Sequence, residues 1–298
     1  MNKLSSIIVL VLWSILSCTG CAQEAQDTHE TETSAQSSIR VASFNLRMDT
    51  PNDGDDAWPH RAEFVKGLIR FHQIDLLGTQ EGFSHQLDEI LEIGGYARIG
   101  AGRDDGEDAG EHSAIIYRTD CFDVLDHGDF WFSETPDTPS KGWDATCCNR
   151  ICSWAKFRDL HNGKEFYFFS LHYDHEGKIA RKNSSKLLLD KIRDLIAGGH
   201  EVIVCGDFNA TPDSEPIQII KEEGIIYDSY EMSKEEPYGP EGTINQFNLD
   251  LASKKRIDYV WVTKDIEVSR YAVLTDQLYG HFPSDHFPVV VDLVLPND

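Results

Sequence analysis

The chain has 298 residues, with 27 basic against 51 acidic side chains, and its formal net charge at pH 7 is −24. Proteins that grip nucleic acid usually present arrays of lysine and arginine to the phosphates. The charge therefore argues against nucleic acid as a partner, although an acidic nuclease, in which a cation bridges the repulsion, is kept as an alternative.

Residues 1–21 are predicted to be a targeting segment rather than part of the fold. A single lysine precedes the apolar stretch Leu4–Leu16, which is too short to span a bilayer. Cys18 and Cys21 resemble a bacterial lipoprotein processing box, with Cys21 favoured as the lipid-bearing residue; an ordinary secretory signal is the alternative. Under the first interpretation the protein is exported to the bacterial cell envelope and anchored by lipid to a membrane, on its periplasmic or surface side.

Residues 22–38 are polar and acidic and contain no aromatic side chain. Such a segment buries too little apolar surface to fold, so we predict a disordered acidic tether. The rest, residues 39–298, is long for one domain but acceptable for a large layered α/β fold.

In chain order, residues 39–46 alternate apolar with small or polar side chains, as a strand does. Residues 60–72 carry apolar side chains at helical spacing and predict an amphipathic helix. Short apolar runs predict three further strands, at 74–78, 113–117 and 166–171.

The second half of the domain begins with a long helix predicted over residues 179–197, which a pair of glycines stops. The apolar run 202–205 predicts a buried strand, and a short helix follows from about Ser214. Late strands are predicted at 256–262 and 288–295.

Strands recur throughout, mixed with a few helices, rather than in strict alternation. This pattern favours an α/β fold in the form of a four-layer sandwich, with two packed mixed β-sheets flanked by helices. Candidate polar residues fall at the ends of predicted strands, which indicates one shared site.

Five cysteines lie in the domain: Cys121, Cys147, Cys148, Cys152 and Cys205. Export to an oxidising compartment permits a disulfide, and we expect one in the cluster 147–152, with its partners left open. The spacing matches no zinc site. Cys205, inside a predicted strand, is expected to be buried.

Two motifs carry the chemistry: Gly206–Asn209, directly after a buried strand, and Ser284–His286. A carboxylate binds a hard cation or orients a water, an amide donates to a phosphoryl oxygen, and a histidine transfers a proton near neutral pH. Together they indicate metal-assisted hydrolysis of a phosphoester.

Six motifs in order resemble those of the endonuclease/exonuclease/phosphatase family, which has the fold of deoxyribonuclease I, and its exported bacterial lipoprotein branch in particular. The resemblance covers residues 39–295. The motifs are Phe44-Asn45, Gln80-Glu81, Ser170-Leu171-His172, Gly206-Asp207-Phe208-Asn209, Arg256-Ile257-Asp258-Tyr259 and Ser284-Asp285-His286.

This resemblance implies a magnesium site, with Mn²⁺ as an alternative cation. Glu81 is expected to be the main ligand, Asn45 to support it, and Asp285 to contribute on the metal side. One cation is sufficient, and the sequence leaves open whether there is a second.

The resemblance also implies the catalytic residues. Asp207 is expected to orient and deprotonate the attacking water, while Asn209 donates to the phosphoryl oxygens. His286 contacts the phosphate, with Asp258 fixing its tautomer. His172 stabilises the developing charge or protonates the leaving oxygen.

The expected function is a magnesium-dependent phosphodiesterase or phosphatase, a monomer, acting on a small or lipid-derived phosphate ester. An exported nuclease is one alternative, and a non-catalytic binding lipoprotein on the same fold is another. The aromatic segments 129–136 and 141–144 predict either a platform for a substrate ring or a buried strand and loop. Three arginines near the motifs are candidates for binding additional phosphates: Arg47, Arg61 and Arg150.

Overall fold

The computed structural model describes residues 38–251 and 253–296. The strands there are β1 Ser38–Asn45, β2 Leu76–Gln80, β3 Tyr96–Ile99, β4 Ile115–Arg118, β5 Phe122–Trp131, β6 Ile151–Asp159, β7 Glu165–His172, β8 Glu201–Asp207, β9 Tyr227–Asp228, β10 Asp258–Val262, β11 Glu267–Val273 and β12 Val289–Val294. The α-helices are α1 Trp58–Phe71, α2 Ser84–Leu91, α3 Lys178–Ala197, α4 Glu215–Glu223 and α5 Ser229–Met232, and a 3-10 helix covers Pro51–Asp56.

The strands form two six-stranded sheets. Strand order is β11-β12-β1-β2-β4-β3 in the first sheet and β5-β6-β7-β8-β10-β9 in the second. Both sheets are mixed, because β1 pairs in parallel with β2, and β7 with β8, whereas β12 and β10 join them antiparallel. The predicted fold of two mixed sheets with flanking helices is confirmed.

Alternating side chains divide each central strand between two apolar cores. In β1, Ile39 and Val41 pack into the core between the sheets, whereas Ala42 and Phe44 pack with residues of α1 and α2. In β7, Phe168 faces the other sheet and Phe169 belongs to the core that includes α3 and α4 residues. The order of layers is therefore helix, sheet, sheet and helix.

The two sheets approach closely beneath the site. A Cβ atom at Gly78 of β2 would lie 2.2 Å from the Sγ atom of Cys205 in β8, so only glycine fits there. Ser170 Oγ donates to the Thr79 carbonyl at 3.2 Å, which adds a hydrogen bond between the sheets. Cys205 itself is fully buried, as expected.

Some boundaries differ from the predictions. The second strand, expected at 74–78, occupies Leu76–Gln80 because its end pairs with β1. β5 escapes pattern recognition because a bulge after Val124 and the exposed Asp126 and His127 interrupt its alternation.

The predicted signal at 1–21 and nearly all of the predicted tether lie outside the described residues. Ser38, expected to end the tether, instead begins β1 and pairs with Val294. Among the described helices, none combines the length and apolar character that crossing a bilayer requires.

The five cysteines of the described part of the chain are all free thiols. The disulfide expected in the cluster 147–152 therefore does not form in this structure. Cys152 is buried within β6, whereas Cys147 is exposed on the loop before it, so these two thiols occupy different environments.

Candidate active site

The sheet registers bring the motif residues to one edge of the sandwich. Asn45 ends β1 beside the end of β2, after which Glu81 follows. In the second sheet His172 lies opposite Asp207, and Asp207 lies opposite Asp258. Since parallel strands end at one edge and the antiparallel β10 begins there, these five side chains meet.

Asp207 lies at the centre of this group. Its Oδ2 atom accepts a hydrogen bond from Asn45 Nδ2 at 3.2 Å and lies 3.5 Å from His172 Nε2 and 4.0 Å from His286 Nε2. Its Oδ1 atom accepts from the backbone N–H of Asn209 at 2.8 Å. The carboxylate is thus surrounded by groups from both sheets.

The environment of Asp207 changes its acidity. Burial, and then the negative charge of Asp258, raise the pKa of Asp207 to about 7, against the lowering effect of His286. A base whose pKa lies near the working pH is both sufficiently deprotonated and sufficiently basic. Asp207 is therefore suited to accept a proton at neutral pH.

His286 is held by Asp258. Its Nδ1 atom lies 2.9 Å from Asp258 Oδ2, and that oxygen also accepts from Thr243 Oγ1 at 2.5 Å. Burial opposes a charge on His286, but the charge and hydrogen bond of Asp258 outweigh it and raise the pKa of His286 well above its usual value. The imidazole is therefore positively charged, with Nε2 directed to the side of Asp207.

His172 differs from His286 in its charge. Burial and the neighbouring guanidinium of Arg150, with Nη1 3.2 Å from both ring nitrogens, lower the pKa of His172 well below its usual value. Asn209 Nδ2 lies 3.1 Å from His172 Nε2 and donates to the Tyr173 carbonyl at 3.0 Å. A neutral His172 is suited to hydrogen bonding, which favours its charge-stabilising role over proton donation.

Two carboxylates lie on the first-sheet side. Glu81 Oε1 accepts from Asn45 Nδ2 at 3.0 Å, and Glu81 Oε2 accepts from the backbone N–H of Met48 at 3.3 Å. Burial raises the pKa of Asp285, and the charge of Glu81 adds to this, while His286 opposes it. Two neighbouring carboxylates beside an amide are a donor set that suits a hard divalent cation.

A second group of potential metal ligands consists of Asp207, Asp258 and His286, whose ligand atoms lie within 4.8 Å of one another. In this group the Asp258 and His286 atoms already bond to each other. A protonated imidazole has no lone pair for a metal. The set of Glu81, Asn45 and Asp285 is therefore the better fit for the cation.

Three residues of the site have a backbone in the left-handed region. They are Arg47 with φ 55°, Glu81 with φ 63° and Asn209 with φ 47°. Each such conformation costs of order 1–3 kcal/mol in a residue other than glycine, and it persists where surrounding contacts enforce it. The strain coincides with the candidate ligand and the candidate phosphoryl donor.

The three arginines expected as phosphate binders separate into different roles. Arg61 is buried and donates to the carbonyls of Leu46 at 2.9 Å and Pro283 at 2.6 Å, so it braces the site from within. Arg47 is held by Asp53 at 2.8 and 2.9 Å. Arg150 alone lies beside a catalytic candidate, where it also contacts His175 Nδ1 at 2.6 Å.

The aromatic residues at the end of β5 belong to the core rather than to a substrate platform. Phe130, Trp131 and Phe132 are at most 5% exposed. Trp131 Nε1 donates to the Arg103 carbonyl at 2.7 Å. Of the two interpretations, the buried strand is therefore correct for these rings.

The sequence reasoning missed Thr243, which shares Asp258 with His286. Arg150 was expected to bind a phosphate, and its contact with His172 was not predicted. Neither had a signal, because Thr243 lies in a loop 15 residues before Asp258, and Arg150 lies 22 residues before His172, directly before β6. Tertiary pairing alone brings these residues together.

Comparison with known proteins gives a family match. Residues 42–286 match the endonuclease/exonuclease/phosphatase family. A crystal structure of a family protein from Bacteroides thetaiotaomicron is 44% identical, with a TM-score of 0.83, and the match covers 88% of this chain and 99% of that one. A mannosyl-6-phosphatase from Bacteroides thetaiotaomicron VPI-5482 is also 44% identical with a TM-score of 0.83, over 86% and 100% of the two chains.

Similarity to a curated protein is weaker. An uncharacterised protein of Acanthamoeba polyphaga mimivirus is 28% identical over 177 residues, which is 54% of this chain. The match spans 62% of that relative's length, less than two thirds of it.

Proposed function

The chain belongs to the endonuclease/exonuclease/phosphatase family of phosphoric ester hydrolases, and from this premise we propose that it is a divalent-metal-dependent phosphomonoesterase that acts on a phosphorylated sugar. The observation that carries the proposal is its likeness, over most of its length, to a mannosyl-6-phosphatase. The geometry of Asp207 and His286 is compatible with that chemistry.

Glu81 and Asp285, with the amide of Asn45, would hold the cation, Mg²⁺ in the first instance and Mn²⁺ as the alternative. When bound, the cation supplies positive charge for the phosphoryl and leaving oxygens. Asn45 has a second function, because its Nδ2 donates to both Glu81 and Asp207. It therefore fixes the distance between the candidate metal ligand and the candidate base.

Asp207 would hold the attacking water and accept its proton, because its pKa is raised to about 7. The charged His286 donates from Nε2 to a phosphoryl oxygen. Its Nδ1 keeps its own proton, which is hydrogen-bonded to Asp258. Asn209 and the neutral His172 donate further hydrogen bonds as negative charge increases on the phosphoryl group. Arg150 keeps His172 neutral and oriented.

The test is hydrolysis of mannose 6-phosphate, p-nitrophenyl phosphate and bis-p-nitrophenyl phosphate, each with Mg²⁺, with Mn²⁺ and with EDTA. The wild type is compared with Asp207→Asn, and with Asp265→Asn as a control for an exposed carboxylate, which lies in the turn between β10 and β11. We expect metal-dependent cleavage of both monoesters, which Asp207→Asn slows about 10²–10⁴-fold and Asp265→Asn leaves unchanged.

Other outcomes would redirect the assignment. Faster cleavage of the diester than of either monoester would contradict a phosphomonoesterase and favour the nuclease alternative. No turnover of any ester with either metal would favour the non-catalytic binding protein. Cleavage that persists in EDTA would contradict the metal site.

We also propose that the protein is an exported monomer, anchored to a membrane of the cell envelope by lipid on Cys21 or Cys18. This rests on the sequence alone, since both cysteines lie outside the described residues. In the producing bacterium, Cys21→Ser should release the protein from the membrane fraction. If only Cys18→Ser does so, Cys18 carries the lipid.

A further inference from the structure

A pocket of about 420 Å³ lies beside Asn209, between the start of α3 and the start of α4. Its apolar lining includes Ile244 and Ile257, and its polar lining includes Asn209. The volume lies in the range of small-molecule sites, about 300–1,000 Å³. Apart from Asn209, no residue of this lining has a role in the proposed chemical steps.

The pocket is continuous with the candidate active site. Asn209 is 3.1 Å from His172, Ile257 directly precedes Asp258, and Ile244 forms a β-bridge with His286. A phosphoryl group held by Asn209 and His286 therefore has its remaining substituent next to this pocket. The natural occupant is the part of the substrate that is not hydrolysed.

Three cationic side chains line the pocket: Lys178, Arg181 and Lys255. Among the described residues, neither of the two lysines forms an ion pair. Arg181 Nη1 donates only to the Asp174 carbonyl, at 2.9 Å. The acid on the lining, Glu215, is paired with Lys182 at 2.5 Å.

This cluster is the reverse of the molecule's overall charge. The chain has nearly two acidic residues for each basic one, yet the lining carries three cations and one carboxylate that is already paired. The pocket therefore attracts negative charge.

We propose that this pocket, which we call the cationic pocket, binds a second anionic group of the substrate. The proposal rests on the proposed function and makes it narrower: the preferred substrate is a phosphorylated sugar that carries a further phosphate or carboxylate. Lys178 and Lys255 bind that group from two different segments of the pocket lining, α3 and the loop before β10. Arg181 supports them from the first turn of α3.

The experiment compares kcat/KM for mannose 6-phosphate, which has one anionic group, with fructose 1,6-bisphosphate and 6-phosphogluconate, which have two. We expect the substrates with two anionic groups to be preferred. Fructose 1,6-bisphosphate should be preferred if the second group is a phosphate, and 6-phosphogluconate if it is a carboxylate. A charged hydrogen bond commonly contributes about tenfold in affinity or more. The variants Lys178→Gln and Lys255→Gln should each reduce the preference by about that factor.

Lys186→Gln is the matched control, because Lys186 is an exposed lysine on α3 that does not line the pocket. It should leave the preference unchanged. The inference would be overturned by equal kcat/KM for substrates with one and with two anionic groups, or by a preference that survives both pocket substitutions. Neither result would contradict the phosphomonoesterase proposal.

Binding without turnover separates the two proposals. In Asp207→Asn, titration calorimetry with fructose 1,6-bisphosphate measures affinity whether or not the protein is a phosphatase. Affinity that falls on adding Lys178→Gln supports the cationic pocket, and affinity that does not change contradicts it.

Discussion

The two halves of the candidate site are built differently. We call Asn45, Glu81 and Asp285 the first-sheet half, and His172, Asp207, Asn209 and Asp258 the second-sheet half; His286 completes the latter although it precedes β12. The second-sheet half is a connected hydrogen-bond network in which Asp258 holds His286 and Asn209 contacts His172. Its geometry is complete without a cation.

The first-sheet half is different because its charges do not cancel. The charge of Glu81 helps to raise the pKa of Asp285, and the guanidinium of Arg47, which lies 4.0 Å from Glu81, is bound to Asp53. A divalent cation would remove this repulsion. On the proposed roles, proton transfer and metal binding belong to separate sheets, which Asn45 connects through its hydrogen bonds to Glu81 and Asp207.

The largest effect should follow Asp207→Asn, which removes the base of the second-sheet half. We expect kcat to fall about 10²–10⁴-fold. Because the folded protein raises the pKa of Asp207 to about 7, it favours the neutral carboxyl group, and this stabilisation is lost as pH rises from about 4 to 7. Asp207→Asn should therefore be more stable than wild type above pH 7.

The measurement is urea unfolding in EDTA at pH 5 and at pH 8, alongside turnover with metal. Each unit of pKa elevation corresponds to about 1.4 kcal/mol, which sets the scale of the difference between the two pH values. Equal stability of wild type and variant at pH 8 would show that Asp207 is not forced to ionise against its environment.

A smaller effect, concentrated on metal affinity, should follow Glu81→Gln in the first-sheet half. The loss of a charged oxygen ligand should weaken Mg²⁺ binding about tenfold to a hundredfold or more. Titration of activity with Mg²⁺ would show a raised midpoint with partial recovery at high concentration. An unchanged midpoint would contradict Glu81 as a ligand and favour the group of Asp207, Asp258 and His286 as the metal site.

Asp258→Asn should alter the pH profile more than the maximal rate. In the wild type, kcat/KM should rise as Asp207 loses its proton near pH 7 and should fall only at a higher pH, where His286 loses its proton. Without the Asp258 charge the pKa of His286 is lower, so the alkaline limb should move to lower pH. Rate–pH profiles of the two proteins would measure this, and coincident alkaline limbs would refute the role of Asp258.

The smallest effect on rate should come from Arg61→Lys, which is behind the first-sheet half. Arg61 donates to four carbonyls, those of Leu46, Arg47, Asp56 and Pro283, whereas lysine has three N–H donors. At least one buried acceptor is therefore left unpaired, at about 1–3 kcal/mol. Urea unfolding should show this loss, with only a few-fold change in kcat. Arg70→Lys, exposed on the same helix, is the control and should unfold like the wild type.

The sequence was informative where a residue's local pattern determines its place. Three site residues lie at the ends of strands with a clear apolar pattern: Asn45 ends β1, Asp207 ends β8 and Asp258 begins β10. Their meeting at one edge of the sheets could therefore be predicted. Arg61 shows the opposite case, because its position on α1 is compatible with either an exposed or a buried side chain. Its burial depends on the loops whose carbonyls it bonds, which the local sequence does not indicate.

Charge state was likewise beyond the sequence. His172 and His286 look equivalent as histidines in short motifs, yet Arg150 lies beside one and Asp258 beside the other. Their opposite pKa shifts depend on partners from distant segments. The cationic pocket has the same origin, since Lys178 and Lys255 come from segments far apart in the chain.

The close approach at Gly78 has a consequence for how such an enzyme can diverge. With no space for even a methyl group between β2 and β8, the sheets cannot slide past each other, so the two halves of the site keep a fixed spacing. Variation is then confined to the segments that surround the edge, among them the loop before β10 and the first turn of α3. A new specificity can arise by exchanging those segments while the hydrolytic centre is inherited unchanged.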